Sequence, residues 1–226
     1  MKRLICATVL FFCLLPFTAS AYILAGILGG GTTTTTYSYT DNFTYSNGNL
    51  PSPWTVPSQS FSGQTAHTPQ VVSNSLNSQS SFWSISYYNQ TTTNNQYSQI
   101  DISAVQSVGS YASGVMVRIQ TNSSWDSYRA TVYNNSGTIT LMLRKIVGGT
   151  DSPLSSYSVG SSNTAISALP HTIKLTAVGS TISVYVDGML TIQGTDATLT
   201  NGYPGIWMDP TNGTIAVMDN WAGGSM

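Results

Sequence analysis

Glutamate is absent from this 226-residue chain: all eight acidic residues are aspartates. No catalytic motif or metal site that needs a glutamate can therefore be present. Charge of either sign is scarce, at 7% of residues against about 25% in an ordinary soluble domain. Nucleic acid binding rests on clustered basic charge, so that partner class is not expected. Cys6 and Cys13 are the only cysteines and both lie near the N-terminus. No convincing helical period occurs beyond that region, nor does a Gly-x-Ser-x-Gly elbow or a phosphate-binding glycine loop.

Residues 1–21 read as a signal peptide. Lys2 and Arg3 supply charge, Leu4 to Pro16 an apolar stretch, and Ala19-Ser20-Ala21 a small-residue cleavage site. The rival reading is an uncleaved anchor, because "YILAGIL" prolongs the apolar run; Pro16 and the Ala-x-Ala pattern favour cleavage. The expectation is a secreted protein, extracellular or at the cell surface, with no cysteine and no membrane span after cleavage. Residues 22–38 are rich in Gly and Thr and read as a linker or N-terminal arm. A globular domain is expected over 39–222, followed by a short tail at 223–226.

What the chain does have is Ser, Thr, Asn and Tyr, arranged in short alternating runs. "GVMVRIQ" sets Val115, Val117 and Ile119 against Met116, Arg118 and Gln120. "YRATVY" and "TITLMLRKI" repeat the period of two, which marks half-buried antiparallel strands. "NNSG", Gly179-Ser180 and Asp187-Gly188 supply hairpin turns between such runs. Strands are expected near 40–45, 70–73, 81–88, 96–103, 113–120, 127–134, 138–146, 171–178, 181–187, 190–193, 203–208 and 213–220. The class is all-β, and so many strands in one domain imply a two-sheet antiparallel sandwich.

Three stretches carry a more specific resemblance: "DNFTYSNGNLPSPWTV", "GVMVRIQTNSSWDSYRATVYNNSGTITLMLRK", and "HTIKLTAVGSTISVYVDGMLTIQGTDATLTNGYPGI" closing with "MDNW". Together they resemble the concanavalin A-like lectin/glucanase superfamily, in its laminin-G-like branch of extracellular bacterial proteins. The resemblance implies a jelly-roll sandwich whose first and last strands are adjacent. It also implies a structural calcium near those strands, for which Asp41 and Asp219 are the candidate oxygen ligands.

The densest functional signal is "RIQTNSSWDSYRATVY". Arg118, Arg129 and Arg144 fall on the non-core phase of three strands, with Met116 and Tyr133 and with Asp101 from "QIDIS" nearby. Trp125 sits in a polar loop, where an exposed ring would make a sugar platform. Arg118, Trp125, Asp126, Tyr128, Arg129 and Tyr133 are the candidate ligand-binding residues, although the phase of Tyr128 with Ala130 and Val132 points it inward. The other reading of this face is cross-strand pairing. His171 opens a strand after Pro170 and is read as a polar strand-start residue, and the scattered aspartates as turn and loop residues.

The expected function is a secreted, non-catalytic carbohydrate-binding or adhesion module whose partner is a polysaccharide or glycan. Its rival is a structural subunit of an extracellular fibre or sheath that self-associates through the 22–38 arm. A hydrolase working through aspartates is a third reading, set aside because the aspartates are scattered among turns and loops; with no glutamate either, the chain is expected not to be an enzyme.

Overall fold

The computed structural model describes residues 35–77, 82–105, 112–121, 123–154, 156–209 and 216–226. The signal segment, both cysteines and nearly all of the 22–38 arm lie outside the described residues. Among those residues no helix is long and apolar enough to cross a membrane.

The strands, in chain order, begin with β1 (Ser38–Asp41), β2 (Gly48–Asn49), β3 (Trp54–Thr55), β4 (Gln70–Val72), β5 (Ser75–Asn77) and β6 (Ser84–Tyr88). The middle of the chain forms β7 (Gln96–Ala104), β8 (Ala112–Ile119), β9 (Ser127–Asn135), β10 (Thr138–Val147), β11 (Thr150–Pro153) and β12 (Tyr157–Val159). The last third forms β13 (Asn163–Ala165), β14 (His171–Val178), β15 (Thr181–Val186), β16 (Met189–Thr195), β17 (Tyr203–Met208) and β18 (Val217–Ser225). Each strand expected from the alternation has a counterpart. The short strands β2, β3, β5, β11, β12 and β13 lack a long enough run to show a period.

Two antiparallel sheets result. A ten-stranded sheet runs β12-β16-β15-β14-β7-β18-β5-β4-β2, with β1 also on β18. An eight-stranded sheet runs β11-β10-β9-β8-β17-β6-β3, with β13 also on β10. β1 pairs with β18, so the first and last strands are adjacent and the fold is a jelly-roll sandwich. Hairpin turns close where the sequence places them: Ser136-Gly137 and Asp187-Gly188 both have positive φ, which matches the twist of the flanking strands.

Two apolar clusters follow from the alternation. The larger lies between the sheets and takes Ile100, Ile173 and Val184 from one, and Val115, Ala130 and Leu143 from the other. The smaller covers the outer face of the eight-stranded sheet. There Ile85, Met116, Ile146 and Trp207 lie beneath Phe61, Ala66 and Trp125 from loops. Both faces of the central strands are thus buried, and every residue of β8 is inaccessible.

The pairing of β8 with β17 is irregular at one point. Ile119 lies opposite Tyr203 and Met116 opposite Gly205, so Val117 and Arg118 together face Pro204 alone. This is a β-bulge. Pro204 has no N–H to give a ladder, and a bulge is where a central strand tolerates it. Arg118 takes φ 55° there. The bulge reverses the alternation, turning Ile119 outward into the smaller cluster and Arg118 inward.

Candidate functional site

Arg118 was expected on an open sheet face, but the bulge buries it to 1% exposure at one end of the sandwich. Its guanidinium donates to three backbone carbonyls: Leu199 O from Nη1 at 2.7 Å, Gly179 O from Nη2 at 2.7 Å, and Asn94 O from Nη2 at 3.0 Å and Nε at 3.2 Å. Its own N–H donates to Gln96 Oε1 at 2.8 Å. One side chain therefore pins the loop before β7, the β14–β15 turn and the loop before β17. Burial pushes its pKa below the usual arginine value.

Above this pin lies a cleft of about 350 Å3, lined by Thr91, Thr92, Ile119, Gln120, Thr121, Asn201, Gly202 and Tyr203. That volume is at the small end of ligand sites. Gln120 Nε2 donates to Asn201 O at 2.6 Å, and Gln96 Nε2 to Gly202 O at 2.9 Å, so the floor is rigid. Gly202 has φ 132°, and a Cβ there would stand 2.5 Å from the Arg118 carbonyl carbon. The Tyr203 ring packs on Tyr87 at 5.0 Å between centroids, leaving it half-buried. Among the described residues, the hydroxyls of Thr91, Thr121 and Tyr203 and the side-chain amide of Asn201 take no partner within the protein. The lining carries no charge. It offers hydroxyl and amide groups and one aromatic ring, the set that recognises neutral polyhydroxyl compounds.

The remaining sequence candidates are not brought together. Trp125 is fully buried rather than an exposed platform. It takes φ 62°, stacks on Phe61 at 5.2 Å, and donates from Nε1 to Gln59 O at 2.5 Å. The outer sheet face needs an apolar cover, and Trp125 is part of it. Asp126 is half-buried and accepts from the Gly148 N–H at 2.9 Å, closing the β10–β11 turn. Tyr128 points into the main core, as its phase indicates, and donates to Asp196 Oδ1 at 2.7 Å. Burial first, then this carboxylate, pushes its pKa up to about 12.

Arg129 and Arg144 do share the outer face of the eight-stranded sheet, directly opposite one another. The like charges are reconciled by Asp151 of β11, 2.5 Å from Arg129 and 3.1 Å from Arg144. Arg129 is only 6% exposed, and its Cζ lies 4.2 Å from the centre of the Trp207 ring. Its Nε and Nη1 make no hydrogen bond, a gap the Trp207 π face fills in part. Nearby, Asp209 accepts from Trp207 Nε1 and from the Ala112 N–H at 2.8 Å. Burial raises its pKa to about 6, with Arg129 opposing that shift. Asp151, read as a loop residue in the sequence, is therefore a strand residue between two arginines. Tyr133 is half-buried on the same face, two residues from the C-terminal end of β9. Asp101 is not beside the arginines, because β7 belongs to the other sheet.

Asp41 and Asp219 do lie on the neighbouring strands β1 and β18, but Asp41 does not fit a calcium. Its carboxylate accepts from Trp54 Nε1 at 2.7 Å, Phe43 N at 2.8 Å and Tyr45 OH at 2.9 Å. Both oxygens are thereby taken by donors. Among the described residues, no group of three His, Cys, Asp or Glu side chains is placed to hold a metal ion.

The cleft escaped sequence reading because its lining is Thr, Asn and Gln from three distant segments, in a chain full of such residues. No protein-family profile matches the sequence, and no curated protein does. Solved structures match at the level of the fold. The carbohydrate-binding module CBM66 from Bacillus subtilis is 18% identical with a TM-score of 0.50, over 74% of this chain and 91% of that one. A Bacillus licheniformis β-glucanase is 13% identical with a TM-score of 0.54, over 84% and 98%. A prokaryotic β-1,3-1,4-glucanase from a mouse hindgut metagenome is 12% identical with a TM-score of 0.56, over 83% and 98%.

Hydrolases outnumber the binding module among such matches, which include a further glycosidic hydrolase. The expectation that the chain is not an enzyme does not stand. Missing glutamates remove one catalytic motif, whereas aspartates, histidines and serines remain. The chain has the concanavalin A-like jelly-roll fold, the architecture of a carbohydrate-binding module and of glucanases alike.

Proposed function

We propose that the protein is exported and binds carbohydrate in the cleft formed by Thr91–Thr92, Ile119–Thr121 and Asn201–Tyr203. The observation that carries this reading is the set of unpartnered hydroxyl and amide groups around Tyr203, in an uncharged cleft held rigid from beneath by Arg118. Sugars offer many hydroxyls and no charge, and an aromatic ring covers the apolar face of a pyranose. The fold is shared with a carbohydrate-binding module and glucanases, which supports the ligand class, and the apolar start with its Ala-x-Ala site supports export. Binding here is compatible with catalysis elsewhere on the chain.

The test is titration of purified protein against a panel of neutral polysaccharides, with Tyr203→Phe and Asn201→Ala alongside. Each substitution removes a ligand-facing group without touching the Arg118 pin, and should weaken binding roughly tenfold, the equivalent of one lost hydrogen bond of about 1.4 kcal/mol. Full affinity in both variants would place the ligand elsewhere.

A further inference from the structure

Ser167, His171 and Asp187 form a hydrogen-bonded relay where β14 begins. His171 opens that strand, Ser167 precedes it by four residues, and Asp187 occupies the β15–β16 turn. Ser167 Oγ lies 2.9 Å from His171 Nε2, and His171 Nδ1 lies 2.7 Å from Asp187 Oδ2. The other carboxylate oxygen accepts from the Thr172 N–H at 2.8 Å, while the Asp187 N–H donates to Thr172 O at 2.9 Å. The acid is thus fixed in place. The His171 side chain is 9% exposed, whereas Ser167 is open to solvent. A carboxylate only accepts hydrogen bonds, so the Nδ1 facing it carries a proton. In the neutral ring Nε2 then accepts from the serine hydroxyl, with the Ser167 carbonyl oxygen also in reach for the protonated ring.

We propose that Ser167, His171 and Asp187 are an acyl-transfer site for carboxylic esters of solvent-exposed alcohols. The roles are those of a Ser-His-Asp triad: nucleophile, general base and orienting acid. Ser167 Oγ attacks the ester carbonyl carbon as its proton passes to Nε2. The C–O bond to the alcohol then breaks, and the leaving oxygen takes that proton. Water next gives a proton to Nε2 and adds to the acyl-serine; collapse returns the proton to Oγ and releases the carboxylic acid. The Ser167 carbonyl oxygen, 3.1 Å from Nε2, accepts from that nitrogen while it is protonated. The Ala168 N–H follows the nucleophile and has no partner among the described residues, so it is free to meet the oxyanion. The site is independent of the cleft. His171 and Gly179 bracket β14, about 25 Å apart at 3.3 Å per residue.

The full chain should be treated with an alkyl fluorophosphonate and mapped by mass spectrometry, and assayed for p-nitrophenyl acetate hydrolysis. An adduct on Ser167 is expected, together with hydrolysis that Ser167→Ala abolishes. Asp187→Asn, which keeps a residue suited to the turn, should slow hydrolysis about a hundredfold or more. Ser167→Ala removes only a solvent-exposed hydroxyl, so unchanged circular dichroism and unchanged cleft binding are its controls. Absence of an adduct on Ser167, or hydrolysis that survives Ser167→Ala, would overturn the assignment.

Discussion

Two residues that looked like ligand contacts are structural, and their substitution tests the difference. Arg118→Ala would strand the carbonyls of Asn94, Gly179 and Leu199 and loosen three loops at once. A loss of roughly 3 kcal/mol or more is expected in urea unfolding. Arg118→Lys should recover little of it, since an ammonium lacks the planar fork that serves three acceptors. Trp125→Ala would open a cavity beneath Phe61 and beside Trp207, at a cost of about 3–5 kcal/mol. A Trp125→Ala protein that keeps its melting temperature would contradict this burial. Asp209 adds a pH dependence. Its folded pKa, about 6, is above the unfolded value, so the folded state binds the extra proton between about pH 4 and 6. Its contribution to stability therefore falls as pH rises through that window and is constant above it. Thermal unfolding across pH 4 to 7 should show a decline that Asp209→Asn removes.

At the scale of elements, the bulge joining β8 to β17 shapes the cleft. Gly202 sits where the loop meets β17, and a side chain there would collide with the Arg118 backbone at a φ that side chains rarely adopt. Gly202→Ala should cost about 1–3 kcal/mol and abolish cleft binding, read by thermal unfolding and by titration. Binding that survives with full affinity would show that the loop's position does not matter. This element also marks the limit of sequence reading. Alternation placed β9 and β10 correctly, because Tyr128, Ala130, Val132, Ile139, Leu141 and Leu143 all face the core. The same rule failed at Arg118, because an inserted residue reverses the phase. The hint was Pro204 in an otherwise central strand, a residue that a regular ladder does not accept.

For the whole molecule, the closing seam is aromatic and hydrogen-bonded. Trp54 meets Trp221 at 4.7 Å and Tyr88 at 5.1 Å, and its Nε1 anchors Asp41 on the first strand. The seam joins the first and last strands, and both Asp41 carboxylate oxygens there accept from protein donors. Chelator should leave the melting temperature unchanged, and added calcium should not raise it. A rise of several degrees with calcium would show that Asp41 exchanges its three donors for a cation, since a ligand bound only by the folded state stabilises it by mass action.

The residues alone determined that the chain is a β-sandwich with a cysteine-free described domain, few charges and hairpins at Ser136-Gly137 and Asp187-Gly188. Period-two alternation and turn chemistry are local properties, written within a few residues of one another. Tertiary structure alone decided which polar residues are open. A second apolar cluster covers the outer sheet face and swallows Trp125, a bulge turns Arg118 inward, and Asp151 meets two arginines across a strand the sequence does not announce. The cleft at Tyr203 unites three segments far apart in the chain, whereas the relay at Ser167 is built within one loop and the β14–β15 hairpin beside it. Threonine, asparagine and glutamine are too common here to mark a cleft, and His171, one of two histidines, meets Asp187 only when β15 folds back on β14.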